Sequence, residues 1–277
     1  TVSAGATTGT ATFDPTDDSI YEGNETAVIS ISSVSGADAA ESGSQSVTIT
    51  ITENDSSPTV TLTTSATSIA ENAGSSLTLT ATSSIAADED ITVSISTSGT
   101  GTEGNDYSTI SDITISAGST TGTVSFTPTD DSIYEGNETG IVAISGVSGA
   151  DAAESGSQSV TITITENDSS PTITLATSAT SIAENAGSSL TLTATSSIVA
   201  DEDITVSIST SGTGTEGTDY STISDITISA GATTGTASFT PSDDSVYEGN
   251  ETGIVAISGV SGADAAESGS QSVTITI

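Results

Sequence analysis

Carboxylates are concentrated in one short string that occurs three times along the chain. The string DDSIYEGNET begins at Asp130, and close copies of it begin at Asp17 and Asp243. Its four acids are Asp130, Asp131, Glu135 and Glu138. The chain has 37 Asp and Glu residues but no Lys, Arg or His. Carboxylates about 4 Å apart repel by roughly 4 kcal/mol per pair at an effective dielectric near 20, so folding requires either protonation or bound cations.

A cluster of carboxylates without His or Cys forms a hard oxygen site. Ca²⁺ suits such a site because it accepts about six to eight oxygen ligands in irregular geometry. Mg²⁺ fits less well because it keeps several of its water ligands, whereas zinc and copper favour nitrogen or sulfur ligands. The donor set therefore predicts Ca²⁺ as the counter-charge.

A tandem repeat of 113 residues accounts for the three acidic strings. Asp17, Asp130 and Asp243 are separated by this spacing, and residues 58–164 differ from residues 171–277 at only eight of 107 positions. A unit of this length is a whole domain, not one turn of a solenoid. Near-identity between the copies indicates a recent duplication.

The alignment of the copies predicts three domains. Residues 1–55 match only the C-terminal half of a repeat, residues 56–168 form one full repeat, and residues 169–277 form a repeat lacking its last few residues. A half-domain is not expected to fold alone. We therefore expect either a window on a longer array or completion of residues 1–55 by strands of a neighbouring chain. The short junction Glu166–Pro171 limits how far neighbouring domains can swing.

Apolar residues alternate with Thr and Ser in short segments, which is the pattern of half-buried β-strands. Seven such segments are visible in the first full repeat: Thr59–Leu62, Leu77–Thr80, Ile91–Ile95, Ile113–Ser116, Thr123–Thr127, Gly140–Val147 and Val160–Ile164. Turns rich in Gly, Ser and Asp separate them, and no segment has a helical apolar stripe. The sequence predicts an all-β fold of tandem seven-stranded Ig-like sandwiches arranged end to end.

Loops at one end of a sandwich meet although they are distant in sequence. Eight acids of the first full repeat lie in segments that we expect at one such end: Glu71, Asp106, Asp130, Asp131, Glu135, Glu138, Glu166 and Asp168. Repulsion within such a patch would offset most of a domain's stability unless some of the acids are protonated or cations bind.

Other acids and the aromatic residues are expected to have no role in metal binding. We expect surface positions for Asp88–Asp90, Glu103, Asp151 and Glu154, with the long loop of the last two able to touch a neighbouring domain. The rings of Tyr107 and Tyr134 are expected to pack under the acidic loops, and Phe126 is expected in the core.

Four segments of the repeat resemble the Calx-beta domain, a Ca²⁺-binding sandwich of sodium–calcium exchangers, integrin β4 and large bacterial surface proteins. They are ENAG at Glu71, GTEGNDYSTIS around Asp106, the segment Ile113–Thr139, and TITITEND at Thr161–Asp168. The resemblance covers both full repeats and the half copy. One departure is the ending Glu-Asn-Asp, where strong Ca²⁺ sensors of this family often carry three acids.

The resemblance implies several Ca²⁺ ions in each repeat and one set of ligands in each copy. In the half copy these are Asp17, Asp18, Glu22, Glu25, Glu53 and Asp55. In the first full repeat they are Glu71, Asp106, Asp130, Asp131, Glu135, Glu138, Glu166 and Asp168, with Asn167 nearby. In the second full repeat they are Glu184, Asp219, Asp243, Asp244, Glu248 and Glu251.

Composition argues against several classes of function. Nucleic acid is not an expected partner without Lys or Arg, and direct membrane insertion is not expected without an apolar run of about 20 residues. A glycosidase with paired carboxylates usually needs an aromatic sugar platform, but the chain has five Tyr and no Trp. The absence of Cys and Lys excludes disulfides and Lys–Asn isopeptide bonds, which favours metal as a stabilising element.

A structural role is the prediction that remains: a Ca²⁺-rigidified spacer or filament shaft of a cell-surface adhesin or extracellular fibre, located outside the cell or at its surface. Near-identical copies favour this role because they have no copy-specific task. Two alternatives are a Ca²⁺ sensor module and a direct adhesion module that binds carbohydrate or other surfaces. The expected partners are neighbouring repeats of the same chain and, as a second option, identical chains in a filament.

Overall fold

β-strands are the only regular secondary structure in the computed structural model, which describes residues 1–277. The all-β class predicted from the sequence is therefore confirmed. The structure contains no helix with the length and hydropathy needed to cross a membrane.

The strands are distributed over the three copies as follows. The half copy contains β1 (Ile20–Tyr21), β2 (Glu25–Ser30) and β3 (Ser46–Ile51). The first full repeat contains β4 (Thr59–Thr64), β5 (Ser68–Ala70), β6 (Leu77–Ser83), β7 (Ala86–Ala87), β8 (Ile91–Gly99), β9 (Ile113–Ile115), β10 (Thr121–Phe126), β11 (Ile133–Tyr134), β12 (Glu138–Ser148), β13 (Ala153–Glu154) and β14 (Ser159–Thr165). The last repeat contains β15 (Thr172–Thr177), β16 (Leu190–Ser196), β17 (Val199–Ala200), β18 (Ile204–Gly212), β19 (Ile226–Ile228), β20 (Thr234–Phe239), β21 (Thr252–Ser261), β22 (Ala266–Glu267) and β23 (Ser272–Thr276).

Two four-stranded sheets form the last repeat. One sheet has the order β20-β16-β15-β22 and the other has the order β19-β18-β21-β23. Neighbouring strands are antiparallel, except that β15 and β22 are parallel. Alternation of side chains lets each strand bury one face: in β18, Ile204 and Val206 are buried and the intervening Thr205 is only half-buried.

The apolar faces of the last repeat meet in one core with a pair of stacked rings at its centre. The rings of Tyr220 and Phe239 lie with their centroids 4.6 Å apart. A Cβ atom at Gly253 would lie 2.8 Å from the Phe239 ring, so β21 needs glycine at this position. Tyr107 and Phe126 form the same pair in the first full repeat, also at 4.6 Å. Both rings are fully buried, in agreement with the packing expected for them.

The first full repeat has the corresponding sheets, with the orders β10-β6-β4-β13 and β5-β14-β12-β8-β9. Each of the seven segments predicted from alternation overlaps an observed strand. Four further strands, each of two or three residues, were not predicted from the sequence: β5, β7, β11 and β13. Each of these is parallel to its partner, and none is long enough to show a periodic pattern.

The half copy lacks a core of its own. β2 and β3 pair antiparallel from Glu25–Ile51 to Ser30–Ser46, but Val28, Ile29 and Val47 remain exposed. Phe13 occupies the repeat position of the buried Phe126 and is nevertheless 39 % exposed. This exposure agrees with the expectation that half a sandwich cannot close a core.

Compact units of the structure do not coincide with the sequence repeats. The first unit comprises Thr1–Thr67, Ser75–Thr127 and Gly140–Ile162, and the second comprises Ser68–Gly74, Pro128–Thr139 and Thr163–Ile277. Within the first unit β1 of the half copy pairs with β7, and within the second unit β11 pairs with β17. Each unit therefore joins an acidic loop of one copy to the body of the next copy.

Candidate metal centre

Carboxylates of the last repeat converge from three loops of the second unit. They form two groups, and the carboxylate oxygens within each group lie within 4.8 Å of one another. One group is Glu184, Asp244 and Glu248, and the other is Asp219, Glu248 and Glu251. Glu184 precedes β16, Asp219 lies between β18 and β19, and the other three lie between β20 and β21. Because Glu248 belongs to both groups, the five side chains form one cluster.

Hydrogen bonds to nearby backbone orient three of these acids. Asp244 Oδ1 accepts from the Val246 N–H at 2.6 Å, which closes a turn of the type that Asp favours. Asp219 Oδ2 accepts from the Thr215 N–H at 2.6 Å. Glu184 Oε1 accepts from the Asp244 N–H at 3.2 Å, which ties two of the loops together. Each of these bonds uses one oxygen of a carboxylate that has two.

Repulsion within the cluster changes the proton affinity of its members. Partial desolvation, followed by the charges of Asp219, Asp244 and Glu184, raises the pKa of Glu248. Partial desolvation and the neighbouring Asp219 also raise the pKa of Glu251. A raised pKa of a carboxyl group means that its environment disfavours the anion. A cation bound among these oxygens would remove that penalty.

In the earlier copies, one glutamate organises the acidic loop through its backbone contacts. The carboxylate of Glu166 accepts four backbone N–H bonds, from Glu135 (2.7 Å), Gly136 (3.0 Å), Asn167 (2.8 Å) and Asp168 (2.7 Å). The carboxylate of Glu53 accepts the same four, from Glu22 (2.6 Å), Gly23 (2.8 Å), Asn54 (2.8 Å) and Asp55 (2.8 Å). Burial acts to raise the pKa of Glu166, but these bonds lower it overall. Glu166 is therefore an ionised anchor of the loop.

Two other carboxylates of this repeat are held away from solvent with little compensation. Glu71 is 6 % exposed and accepts a long bond from the Asp131 N–H at 3.3 Å. Burial, followed by the charges of Glu166, Asp131 and Asp130, raises the pKa of Glu71 to about 7. Asp168 Oδ2 is buried without a hydrogen-bond partner, and burial and Glu166 raise the Asp168 pKa. Buried carboxylate oxygens are costly unless they are paired or coordinate a metal, so both residues fit a cation site.

The raised pKa of Glu71 predicts a pH dependence for the calcium-free protein. Between about pH 5 and pH 7 the folded state holds a proton that the unfolded state releases, because the folded pKa of about 7 exceeds the ordinary 4.5. The stabilising contribution is complete below pH 4.5 and is lost as Glu71 ionises. We expect the unfolding midpoint in EGTA to fall as pH rises through this range, and Glu71→Gln to flatten the profile.

The contribution of Glu166 can be separated from that of Glu71 by pH. Its pKa is lowered, so its stabilising effect is lost only as pH falls below about 4.5, the ordinary value for Glu. Thermal unfolding in EGTA at several pH values measures both effects. If the unfolding midpoint of the wild-type chain and that of Glu71→Gln change equally between pH 5 and pH 7, the raised pKa of Glu71 is not the cause of the pH dependence.

Most of the remaining predicted ligands also lie in acidic loops. All six predicted residues of the half copy line one small pocket of the first unit. Asp131 Oδ1 accepts from the Ile133 N–H at 2.7 Å, and Asp130 Oδ1 accepts from the Asn167 side-chain amide at 3.2 Å. Glu135 and Glu138 belong to the second unit with them. Metal binding by these residues remains a prediction.

Two predicted ligands lie outside the two groups of the last repeat, and only the first of them belongs to that repeat. Asp243 is exposed at the start of its loop and belongs to neither group of the last repeat. Asp106 lies in the first unit, where its Oδ2 accepts from the Thr102 N–H at 2.5 Å. This bond is the counterpart of the one between Asp219 and Thr215, so both aspartates direct a loop in the same way.

Two acids that were expected at the surface have structural roles that their sequence context did not predict. Glu103 is half-buried and accepts from Thr97 Oγ1 at 2.6 Å and from the Ile110 N–H at 2.7 Å, so its surface interpretation is wrong. Asp151 accepts from the Tyr21 hydroxyl at 2.9 Å, which is the contact with a neighbouring copy that its loop allowed. Such contacts leave no periodic signal in the sequence, since their partners lie in separate loops.

Comparison with known proteins supplies the family. A family model for the Calx-beta domain matches the chain three times in tandem, at residues 3–55, 53–168 and 166–277. The chain therefore belongs to the Calx-beta domain family. The match confirms the tandem Calx-beta organisation predicted from the sequence, supports Ca²⁺ as the cation in general terms, and is consistent with a non-catalytic protein.

Curated protein sequences gave no match to the chain. Among solved structures, CBD12 of CALX1.2 is 13 % identical, with 78 % of this chain and 99 % of that chain covered and a TM-score of 0.35. The calcium binding domain CBD12 of CALX1.1 is 15 % identical, with coverage of 70 % and 77 % and a TM-score of 0.31. Invasin, a bacterial integrin-binding protein, is 18 % identical, with coverage of 79 % and 39 % and a TM-score of 0.36. Because these TM-scores lie below 0.5, the assignment rests on the family model.

Proposed function

We propose that the chain is a structural calcium-binding repeat region that acts as a Ca²⁺-rigidified spacer or shaft of an extracellular or cell-surface protein. The observation that carries the proposal is Glu248, whose carboxylate belongs to two groups of acids at once. No Lys, Arg or His in the sequence can neutralise those groups. A divalent cation in each group is the remaining source of positive charge.

The donor set fits Ca²⁺ in its chemistry. In the last repeat Glu184, Asp219, Asp244, Glu248 and Glu251 would hold the ions, and all five offer only oxygen ligands. Ca²⁺ supplies positive charge and accepts the irregular arrangement that carboxylates from separate loops provide. The protein supplies the turns that direct the carboxylates toward one another.

The first full repeat offers a second candidate set around its buried acids. Glu71 and Asp168 would donate to the ion, with Asp130 and Asp131 close by in the same unit. The orphaned Oδ2 of Asp168 is the atom that most needs such a partner. Glu166 would act mainly as the anchor that holds Asp168 in place, because its oxygens already accept four N–H bonds.

The spacer role follows from where these acids lie along the chain. Glu166 and Asp168 are followed directly by the segment Ser169–Pro171 and by β15 of the next repeat. A cation bound to Asp168 would therefore restrain the junction as well as the loop. Rigidity at each junction, repeated along an array, produces a stiff extended element.

An extracellular location agrees with the charge and composition of the chain. Extracellular modules bind Ca²⁺ with dissociation constants of roughly 10⁻⁴ to 10⁻³ M, so weak sites can still work there. The sequence also contains no Lys or Arg and therefore offers no cleavage site to trypsin-like proteases.

Calcium titration calorimetry of the wild-type chain and two variants tests the proposal. Glu248→Gln is expected to weaken binding in the last repeat at least about tenfold, because one lost charged ligand is worth more than 1.4 kcal/mol. Glu89→Gln is the matched control, since Glu89 is exposed and belongs to no candidate site. Absence of calcium binding, or equal effects of the two substitutions, would contradict the metal assignment.

Small-angle scattering tests the spacer role separately. The ensemble of conformations that fits the scattering of the wild-type chain is expected to have a narrow range of maximum dimensions in Ca²⁺. The range is expected to be broader in EGTA at equal ionic strength. Calcium binding without any change in this range would reject the spacer while retaining the metal site. If the repeats in EGTA instead adopt one new fixed arrangement, with no broader range of maximum dimensions, the result would support the sensor alternative.

A further inference from the structure

The tyrosines of the first two acidic strings make the same contact with the next copy. In the first unit the hydroxyl of Tyr21 donates to Asp151 Oδ2 at 2.9 Å, and in the second unit the hydroxyl of Tyr134 donates to Asp264 Oδ2 at 2.9 Å. Both tyrosines are 8 % exposed. In each pair, donor and acceptor are 130 residues apart, so the contact is reproduced with the register of the repeat.

A short parallel strand pair accompanies each tyrosine. β1 pairs with β7 through Ile20–Ala86 and Tyr21–Ala87, and β11 pairs with β17 through the corresponding residues. The carbonyl oxygens of Tyr21 and Tyr134 accept further bonds from Asp88 and Asp201 at 3.1 Å and 3.2 Å. The dipeptide thus adds a strand to the edge of the next copy, which is the β-augmentation mode of recognition.

The aspartate that accepts each tyrosine hydroxyl lies in a left-handed turn formed by the sequence SGAD. Ala263 and Asp264 have φ of 50° and 47°, and Ala150 and Asp151 have φ of 51° and 50°. These left-handed values are uncommon outside glycine. The half copy adopts the same turn at residues 37 and 38, with φ of 52° and 55°. The turn therefore forms in the incomplete copy as well and is pre-organised to receive a tyrosine.

The dipeptide Val246–Tyr247 of the third acidic string is equivalent to Ile20–Tyr21 and Ile133–Tyr134 but pairs with no strand. Tyr247 is 96 % exposed, Val246 is also exposed, and neither residue is part of a strand. Both acceptor turns of the full repeats are already occupied by Tyr21 and Tyr134. We propose that Val246–Tyr247 is a docking element whose partner is the body of a further repeat of the same sequence, placed after the last repeat in the same chain.

Attachment in one chain is what makes so small a contact sufficient. The dipeptide contributes two strand residues and one phenol, far less than the roughly 1,200 Å² that a stable interface between separate molecules buries. A short covalent junction supplies an effective concentration of about millimolar or more, which stabilises weak contacts. The junction Glu166–Pro171, which precedes β15 in the chain, is of this short kind.

Nitration of tyrosine, followed by mass spectrometry, tests the proposal in the full chain. The reaction rate of Tyr247 is compared with that in a chain extended by one further copy of residues 165–277. We expect the extension to slow nitration of Tyr247 about tenfold, to the level of Tyr134, in keeping with exposures of 96 % and 8 %. Tyr220, fully buried in the core, reports on folding in both samples.

A second extended chain carries only a copy of residues 165–170. This control restores the Glu-Asn-Asp ending, which could order the loop by itself, but supplies no docking partner. Unchanged nitration of Tyr247 in the control supports docking, whereas protection equal to that given by the full copy overturns it. Protection in the original chain that increases with protein concentration would show that a second molecule covers the element, which also overturns the proposal.

The acceptor is tested at the existing contact of the second unit. Asp264→Gly keeps a left-handed turn accessible and removes the carboxylate, so nitration of Tyr134 is expected to rise several-fold while Tyr220 stays protected. Asp38→Gly, at the equivalent turn of the half copy, is the matched control and leaves Tyr134 unchanged. Equal protection of Tyr134 in all three chains would overturn the acceptor assignment. Repeating the comparison in EGTA separates docking from calcium binding.

Discussion

Removal of Ca²⁺ is expected to lower the free energy of unfolding of the last repeat by about 5 kcal/mol. Two cations, each present at about 100 times its dissociation constant, contribute roughly 2.7 kcal/mol apiece to a state that alone binds them. Chelation also restores the repulsion among Glu184, Asp219, Asp244, Glu248 and Glu251. Calorimetric unfolding in EGTA and in Ca²⁺ at about 100 times the dissociation constant measures the difference.

Ionic strength must be matched in this experiment because the chain carries a net charge of -37 and is stabilised by any screening salt. Magnesium at the same concentration is the control for non-specific screening, and it should recover only a small part of the stability. The variant Glu248→Gln should lose much of its response to Ca²⁺. An equal response to Ca²⁺ and Mg²⁺ would indicate general screening and would contradict specific sites.

Truncation of Phe239 is expected to produce the second large effect. Phe239 is fully buried and stacks on Tyr220, so Phe239→Ala leaves a cavity and should cost about 3–5 kcal/mol of stability. The close approach of Gly253 to the ring indicates that the space around it is tightly filled. Thermal unfolding of the last repeat, followed by the near-ultraviolet signal of Tyr220, reports the change.

The repeat provides a matched control for this substitution. Phe13 occupies the same position of the half copy but is 39 % exposed, so Phe13→Ala should change stability by less than about 1 kcal/mol, as exposed sites usually do. Comparable losses for the two variants would mean that the half copy encloses a core around Phe13. The comparison therefore also tests whether residues 1–55 form a closed domain.

The main strands could be predicted because their signal is local. Alternation of apolar residues with Thr and Ser located β8, β10 and β12, and the spacing of the acidic strings gave the register of the copies. The short strands β7 and β11 could not be predicted, since they form only by pairing with another copy. Their two residues carry no periodicity, and their partners lie far away in sequence.

The candidate site was predictable in its chemistry but less so in the division of roles. The absence of basic residues and the position of the acids in loops indicated a cation site, and in the last repeat five of six predicted acids form one cluster. Sequence alone could not distinguish Glu166, which anchors backbone N–H groups, from Asp168, whose Oδ2 lacks a partner. Both are acids at the end of the same strand, and only the fold separates them.

The placement of tyrosines gives the molecule two kinds of optical reporter. With no Trp in the sequence, its five Tyr residues dominate the near-ultraviolet absorbance and the intrinsic emission. Tyr107 and Tyr220 lie inside the cores, whereas Tyr21 and Tyr134 lie where one copy meets the next. Single Tyr→Phe replacements can thus assign each spectral change to melting of a core or to parting of adjacent copies, without any attached dye.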